Sequence, residues 1–420
     1  MNDSNVRLSP DFSFAWQPVA DQHQRVMAYE MLPGAAGDNL AHALAGLGAG
    51  RLLAHRRLIA PLSVEALSAD CLGELACPGV VLHLMPGAAQ AIAPDAESVV
   101  EEFCRQGVRF AIEPLTWLEQ LPAHPLTDLV LARAEWLVLN AAGADLSSGM
   151  MLSLGRQFSG RRWYVRHIAT PDMFDHCRSS TLSAKPMLFH GNFMGRPRSP
   201  HAMQVDPGQT RVMHIMRLLR SNADIQEIDH QFKLDTILLF KLLRFINSPI
   251  NGLGRKVQTV GESLLLLGRE PLFKWLSMLL YNSHRDDGYN ISLLERSLVR
   301  ARFMETATSV QMSPRDREEM FLTGIFSLLD RLLNLPLREA VGQLNLPAQV
   351  SEALCEGKGV HAPWLELSVR MEHAASERTL ALTRNLGFEP REVCRLWFDA
   401  LVWAQEVLAE GGMQSDLKSA

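Results

Sequence analysis

Residues 236–268, TILLFKLLRFINSPINGLGRKVQTVGESLLLLG, read as helix, sharp turn, helix. Leu239, Leu242, Leu243 and Ile246 recur at i, i+3, i+4 and i+7, one apolar face at helical period. Asn247-Ser248-Pro249 ends that helix, because Asn tolerates a left-handed C-terminal position and Pro249 pushes Ser248 toward extended backbone. After a Gly-rich loop, Thr259-Val-Gly-Glu262 has the form of a capping box, the hydroxyl accepting from the N3 amide and the carboxylate reaching back. Leu264–Leu267 is almost entirely apolar, which predicts a buried helix, and Gly268 is a good C-terminal stop. The stretch supplies no acid, base or metal set of its own.

Outward from it, the C-terminal half reads as helices only. Candidates are Val212–Leu219, Pro271–Tyr281, Ser292–Thr306 (with a second capping pattern, Ser292-x-x-Glu295), a long Arg315–Leu333, and five more up to Leu408. The N-terminal half alternates. Ser13–Ala20 and Arg25–Leu32 read as two strands joined by a polar turn, DQHQ, and a helical stretch follows over Asp38–Ile59. Val80–Met85, Val108–Glu113, Leu129-Val-Leu, Trp136–Leu139, Trp163–Ile168 and Met187–His190 read as further strands with helices between them. Such alternation implies parallel strands with helices packed outside, and with this many units a closed or nearly closed barrel. The pattern breaks at Arg196-Pro-Arg-Ser-Pro200.

A length of 420 residues suggests two to three domains with ample core, and 47% hydrophobic content is that of a soluble globular chain. No apolar run is long enough to span a bilayer, and MNDSNVRLSPDF lacks a basic segment followed by an apolar one, so a cytoplasmic protein without membrane insertion is expected. A net charge of −5 carries no nucleic-acid footprint. The six cysteines are scattered, with no C-x-x-C pair or His spacing that suits zinc, and read as reduced structural thiols.

Leu-Leu-Arg-Phe-Ile-Asn-Ser-Pro (242–249) and the Glu262–Gly268 helix resemble the central signature of the HDOD domain, a helical relative of the HD phosphohydrolases. Gln17-Pro18-Val19 and Tyr29-Glu30-Met31-Leu32, with the later strands, resemble the EAL domain, which hydrolyses cyclic di-GMP on a modified (β/α)₈ barrel. The resemblance implies an α/β plus all-α chain: a truncated or modified TIM-like barrel over residues 10–198, then a helical HDOD domain over 205–408.

Hydrolysis by the EAL route needs divalent metals held by carboxylates and amides at the C-terminal strand ends. Matched residue by residue, Glu30 is kept, the Asn ligand becomes His83, and Asp-Asp-Phe-Gly becomes Glu113-Pro114-Leu115-Thr116. The Lys-x-Asp strand end becomes Val138-Leu139-Asn140, and both glutamates of the next motif are lost in Val165–Thr170, one of them to the cation Arg166. The late Gln-Gly becomes His190-Gly191, and the Arg after the EAL motif is missing, since Leu32 is followed by Pro33-Gly34. Two carboxylates are too few for a hard divalent ion, and Arg166 opposes a cation. A remodelled site of His83, His167, Glu30 and Glu113 has no geometry fixed by sequence. The HD half lacks its metal pair too: Ser327 and Leu328 stand near its place, with Asp330 beyond, and His284 and Asp286 fall in a polar loop.

The expectation is therefore a protein that is not an enzyme, uses no metal or cofactor, and acts as a signalling scaffold or adaptor. Its partners would be proteins, in a pathway linked to cyclic di-GMP, motility or surface behaviour. The alternative is a receptor that binds cyclic di-GMP or another nucleotide without hydrolysing it, in a vestigial pocket of Gln17, Glu30, Leu32, His83, Glu113 and Arg166. Asn247, Ser248, Pro249, Arg255 and Lys256 form the candidate partner contact.

Overall fold

The computed structural model describes residues 14–33, 51, 56–67, 79–87, 92–122, 124–142, 146–180, 182, 185–195, 207–247, 257–281, 288–308, 312–373 and 376–410. The chain divides into two compact units, Met1–Arg196 with Glu366–Val402, and Pro197–Leu365 with Trp403–Ala420.

The first unit holds a closed barrel of eight strands in sequence order. They are β1 Phe14–Asp21, β2 Val26–Pro33, β3 Arg57–Ser63, β4 Val80–Met85, β5 Arg109–Ile112, β6 Trp136–Asn140, β7 Arg162–Ile168 and β8 Leu188–Gly191. β1 runs antiparallel to both of its neighbours, and every other adjacent pair is parallel. The β1–β2 turn is held by Asp21, whose Oδ1 accepts from the His23 and Arg25 amides at 2.8 and 2.9 Å. The interior is an apolar layer of Val19, Ala28, Ile59, Val81, Ala111, Trp136, Val138, Tyr164 and Leu188. Side chains two apart on a strand share a face. Gln17, Glu30, His83, Asn140, Arg166 and His190 each lie two residues from a member of that layer, so a polar layer sits above the apolar one toward the C-terminal ends of the parallel strands, which antiparallel β1 meets with its N-terminal half. At the opposite ends Glu135 gathers Arg57, Arg109 and Arg162 at 2.8, 3.5 and 2.8 Å.

Two expectations are corrected. Arg57–Ser63 is a strand where the helix over Asp38–Ile59 was expected to end; residues 38–50 and 52–55 of that helix lie outside the described residues. Leu129-Val-Leu belongs to the helix Pro125–Arg133, begun by Pro125 at its first position with the His124 ring accepting from the Leu126 amide.

The second unit is helical throughout its described residues, beginning with Pro207–Arg220, Ile225–Lys233, Thr236–Ile246, Val260–Leu267 and Arg269–Tyr281. The cap forms in a shifted version of the box: Thr259 Oγ1 accepts from the Glu262 amide at 3.2 Å, and Glu262 Oε2 reaches one residue past the cap to accept from the Gln258 amide at 3.1 Å. Gly268 ends the helix at φ 83°, a conformation glycine takes without strain. Asn247 is not left-handed, with φ −81°. Its amide works instead as a clamp. Nδ2 donates to the Leu243 and Val257 carbonyls at 2.7 and 2.8 Å, and Oδ1 accepts from the Val257 amide at 2.8 Å. One side chain thus closes the first helix and ties it to the start of the second.

The helix Val260–Leu267 buries only part of its surface. Val260, Ser263 and Leu264 point inward, whereas Leu265 is 77% exposed and Leu266 is exposed as well. The expected full burial is corrected. The Ser292-x-x-Glu295 cap is corrected too, because the helix begins at Gly288 and both residues lie buried inside it. The long Arg315–Leu333 helix is two, Pro314–Phe326 and Leu329–Leu333, parted at Ser327.

Candidate functional site

The polar layer of the barrel is built around Glu30, whose side chain is 0% exposed. β2 carries it two residues beyond Ala28, on the face that alternation turns inward. β7 brings Tyr164 and Arg166, again two apart. Tyr164 Oη donates to Glu30 Oε2 at 2.8 Å, Arg166 Nη2 lies 2.9 Å from Oε1, and Arg166 Nε donates to Oε2 at 3.4 Å. β8 adds His190, whose Nδ1 is 3.6 Å from Glu30 Oε2 and whose Nε2 pairs with Gln17 Oε1. β4 adds His83, which is buried and electrostatically coupled to Glu30 and Arg166. His167 follows Arg166 at a bulge in β7 with φ 60°, its ring 5.6 Å from that of His190.

These groups settle into one charge arrangement. Burial opposes the charge of Glu30, yet His190, Arg166, His83 and the Tyr164 hydroxyl together hold its carboxyl below the usual range. Burial, then Arg166, pushes the His83 imidazole down to about 4. Burial likewise takes His190 down to about 4 against the pull of Glu30. Both rings are therefore neutral at pH 7, and Arg166 is the cation that balances Glu30. The side chain of Arg166 is 15% exposed, so the pair is almost wholly withdrawn from water. One nitrogen on each ring, His83 Nδ1 and His190 Nδ1, is buried without a hydrogen-bond partner.

Of the pocket residues expected from sequence, the structure gathers Gln17, Glu30, His83 and Arg166. Glu113 lies at the start of the helix Pro114–Gln120 and acts electrostatically on His167. Leu32 is one pleat further along β2, opposite Ala15, and joins none of the polar contacts above. Tyr164 and His190 were not among the expected site residues. The signal for both was available, since each lies two residues along its strand from a pocket or core position. Of the partner-contact residues, Asn247 is the clamp described above, while Ser248, Pro249, Arg255 and Lys256 lie outside the described residues, as do His284 and Asp286.

The donor set does not suit a divalent cation. Guanidinium and hydroxyl groups already occupy the Glu30 carboxylate, and among the described residues no group of three His, Cys, Asp or Glu side chains is placed to hold a metal. In the helical unit, Ser327 accepts from Arg300 at 3.1 Å and donates to the Gly324 carbonyl at 2.7 Å, and Leu328 is buried.

Residues 208–340 match the family model of the HDOD domain. The chain is 25% identical over 320 residues to the cyclic di-GMP phosphodiesterase CdgJ of Vibrio cholerae, covering 74% of this chain and 71% of that protein. It is also 25% identical over 224 residues to the uncharacterized protein YuxH of Bacillus subtilis, covering 53% of this chain and 54% of that one. Among solved structures, it is similar to the EAL domain of Mycobacterium smegmatis DcpA, at 14% identity and a TM-score of 0.31 over 43% of this chain and 90% of that one. An HDOD domain protein from Geobacter sulfurreducens is similar at 14% identity and a TM-score of 0.33, over 50% of this chain and 93% of that one. The exclusion of catalysis drawn from the missing ligands is corrected by the first of these relatives, a protein named a phosphodiesterase that aligns over 74% of the chain.

Proposed function

From the premise of an EAL-like barrel followed by an HDOD domain, we propose that this chain acts in cyclic di-GMP signalling through protein contacts made by its helical half. The observation that supports this is the apolar surface of that half. Leu234, Ile237 and Phe240 lie exposed on or beside the helix Thr236–Ile246, and Leu265 and Leu266 lie exposed on Val260–Leu267, which packs against it. Phe240 is 65% exposed, one turn along its helix from exposed Ile237, and large apolar side chains left in water on two packed helices fit an interaction site. Asn247 fixes the angle between the two helices and so keeps the surface in shape.

The test is a comparison of baits. Full-length protein and its Phe240→Asp/Leu265→Asp variant are used to capture partners from extract of the source cells. A partner retained by the first and lost by the second is expected, with unfolding midpoints alike, because neither side chain is part of the core. Identical capture by both proteins would remove this surface from the function.

A second reading has its own support. The barrel pocket would take cyclic di-GMP itself, as the name of the Vibrio relative suggests, with Arg166 meeting a phosphate at the strand ends. Calorimetry with cyclic di-GMP, followed by chromatography of the nucleotide after incubation, is expected to give saturable heat. Absence of heat at large ligand excess sinks this reading and leaves the first untouched.

A further inference from the structure

We propose that Arg166 stands in the place of a divalent cation, so that the Glu30 pocket takes up no metal ion and presents a guanidinium to any anion that enters. This goes beyond both readings above and holds whichever of them is right. The pocket contains the pieces a metal would seek: a buried carboxylate, and two buried imidazole nitrogens, His83 Nδ1 and His190 Nδ1, without hydrogen bonds. Arg166 has reached the carboxylate first, with Nη2 2.9 Å from Oε1 and Nε 3.4 Å from Oε2, while Tyr164 Oη donates to Oε2 at 2.8 Å. A divalent ion binds a carboxylate oxygen at about 2.1 Å and would have to displace the guanidinium. Displacement strands a nearly buried cation, and like charges in so dry a site repel with little screening.

Asn140, at the end of β6, pairs in register with Arg166 and is an amide, so it brings no second negative charge to that strand end. Glu30 already has a guanidinium counter-ion at 2.9 Å, and a divalent ion would add two positive charges to that balanced pair. Arg166 remains charged throughout the pH range in which proteins fold, so this cation is neither titrated away nor removed by a chelator.

The experiment uses the full chain and manganese chloride. After dialysis against manganese and then against metal-free buffer, bound manganese is measured in wild type and in Glu30→Gln, and the wild-type Tm is recorded in manganese and in EDTA. The expected result is the same low manganese content in both proteins and one Tm in both buffers. Close to one manganese per chain, lost in Glu30→Gln, overturns the proposal. Should Glu30→Gln fail to fold, the histidine ring signals of wild type decide. Selective paramagnetic broadening of His83 and His190 by manganese overturns the proposal, and unchanged linewidths support it.

Discussion

Replacing Arg166 by methionine is expected to cost about 3–5 kcal/mol of stability near pH 8, and that cost is expected to shrink as the pH falls. The first part follows from the pair itself. Glu30 is 0% exposed and Arg166 is 15% exposed, 2.9 Å apart, and removing one partner strands the other's charge. The second part follows from proton linkage. In the wild type the Glu30 carboxyl titrates below its usual value. Its contribution is present above the unfolded pKa and is lost as the pH falls through the folded one. His83 and His190, depressed to about 4, act in the same direction, so wild-type stability declines between pH 6.5 and 4. Without Arg166, burial acts on the pocket unopposed by a fixed cation. The folded state then takes up one more proton, held by Glu30 or by His190 beside it. That group's folded pKa is raised above its unfolded value, so its stability is full below the unfolded pKa and lost as the pH rises through the folded one. The gap between the proteins therefore narrows toward acid, at up to about 1.4 kcal/mol per pH unit. Urea denaturation between pH 8 and 5.5 measures it. The double variant Glu30→Gln/Arg166→Met should recover much of the loss, since it removes both charges. A gap independent of pH would show that the pair does not set the charge of the pocket.

The same residues mark how far the sequence could be read. Short apolar runs alternating with helical stretches identified the barrel, and the EAL-like order of motifs placed Glu30, His83 and Arg166 at strand ends. β3 was lost because Arg-Leu-Ile-Ala-Pro-Leu-Ser, with Pro61 inside it, follows a stretch of helical periodicity without a break. Leu129-Val-Leu went the other way, since a three-residue apolar run with one β-branched member says little against a helix that Pro125 and His124 begin just before it. Leu265 was misplaced for a different reason. A helix that is apolar on every side has no polar face to orient it, and only the packing of Val260, Ser263 and Leu264 decides which leucines stay outside. The Glu30–Arg166 pair joins residues 136 apart in sequence. Arg166 could be read as an obstacle to metal, but its role as the partner of Glu30 depends on the closure of β1, β7 and β8 around one point.

Gly324→Ala is expected to destabilise the helical unit by at least about 3 kcal/mol, whereas Gly342→Ala, in the same unit, is expected to be neutral or mildly stabilising. Both glycines are helical, and alanine is favoured over glycine in a helix by about 1 kcal/mol, so propensity alone predicts a gain at each. Space decides otherwise. A Cβ on Gly324 would lie 2.4 Å from both the Cα and the N of Ala301 and 2.7 Å from the carbonyl carbon of Arg300. These are backbone atoms of the helix Gly288–Ala307, which have no rotamer to change, so the helices must part. Ala301, Leu322, Ile325 and Phe326 are all 0% exposed around that crossing, and parting it opens voids that the surrounding side chains do not refill. It also strains the polar seam beside it, where Ser327 Oγ donates to the Gly324 carbonyl and accepts from Arg300. A Cβ on Gly342, by contrast, meets nothing within 4 Å. Hydrogen exchange resolves the site of damage: in Gly324→Ala the amides of Gly288–Ala307 and Pro314–Phe326 should lose protection, while those of β4 and β7 keep theirs. Equal effects of the two substitutions would mean that the helices do not meet backbone to backbone at Gly324.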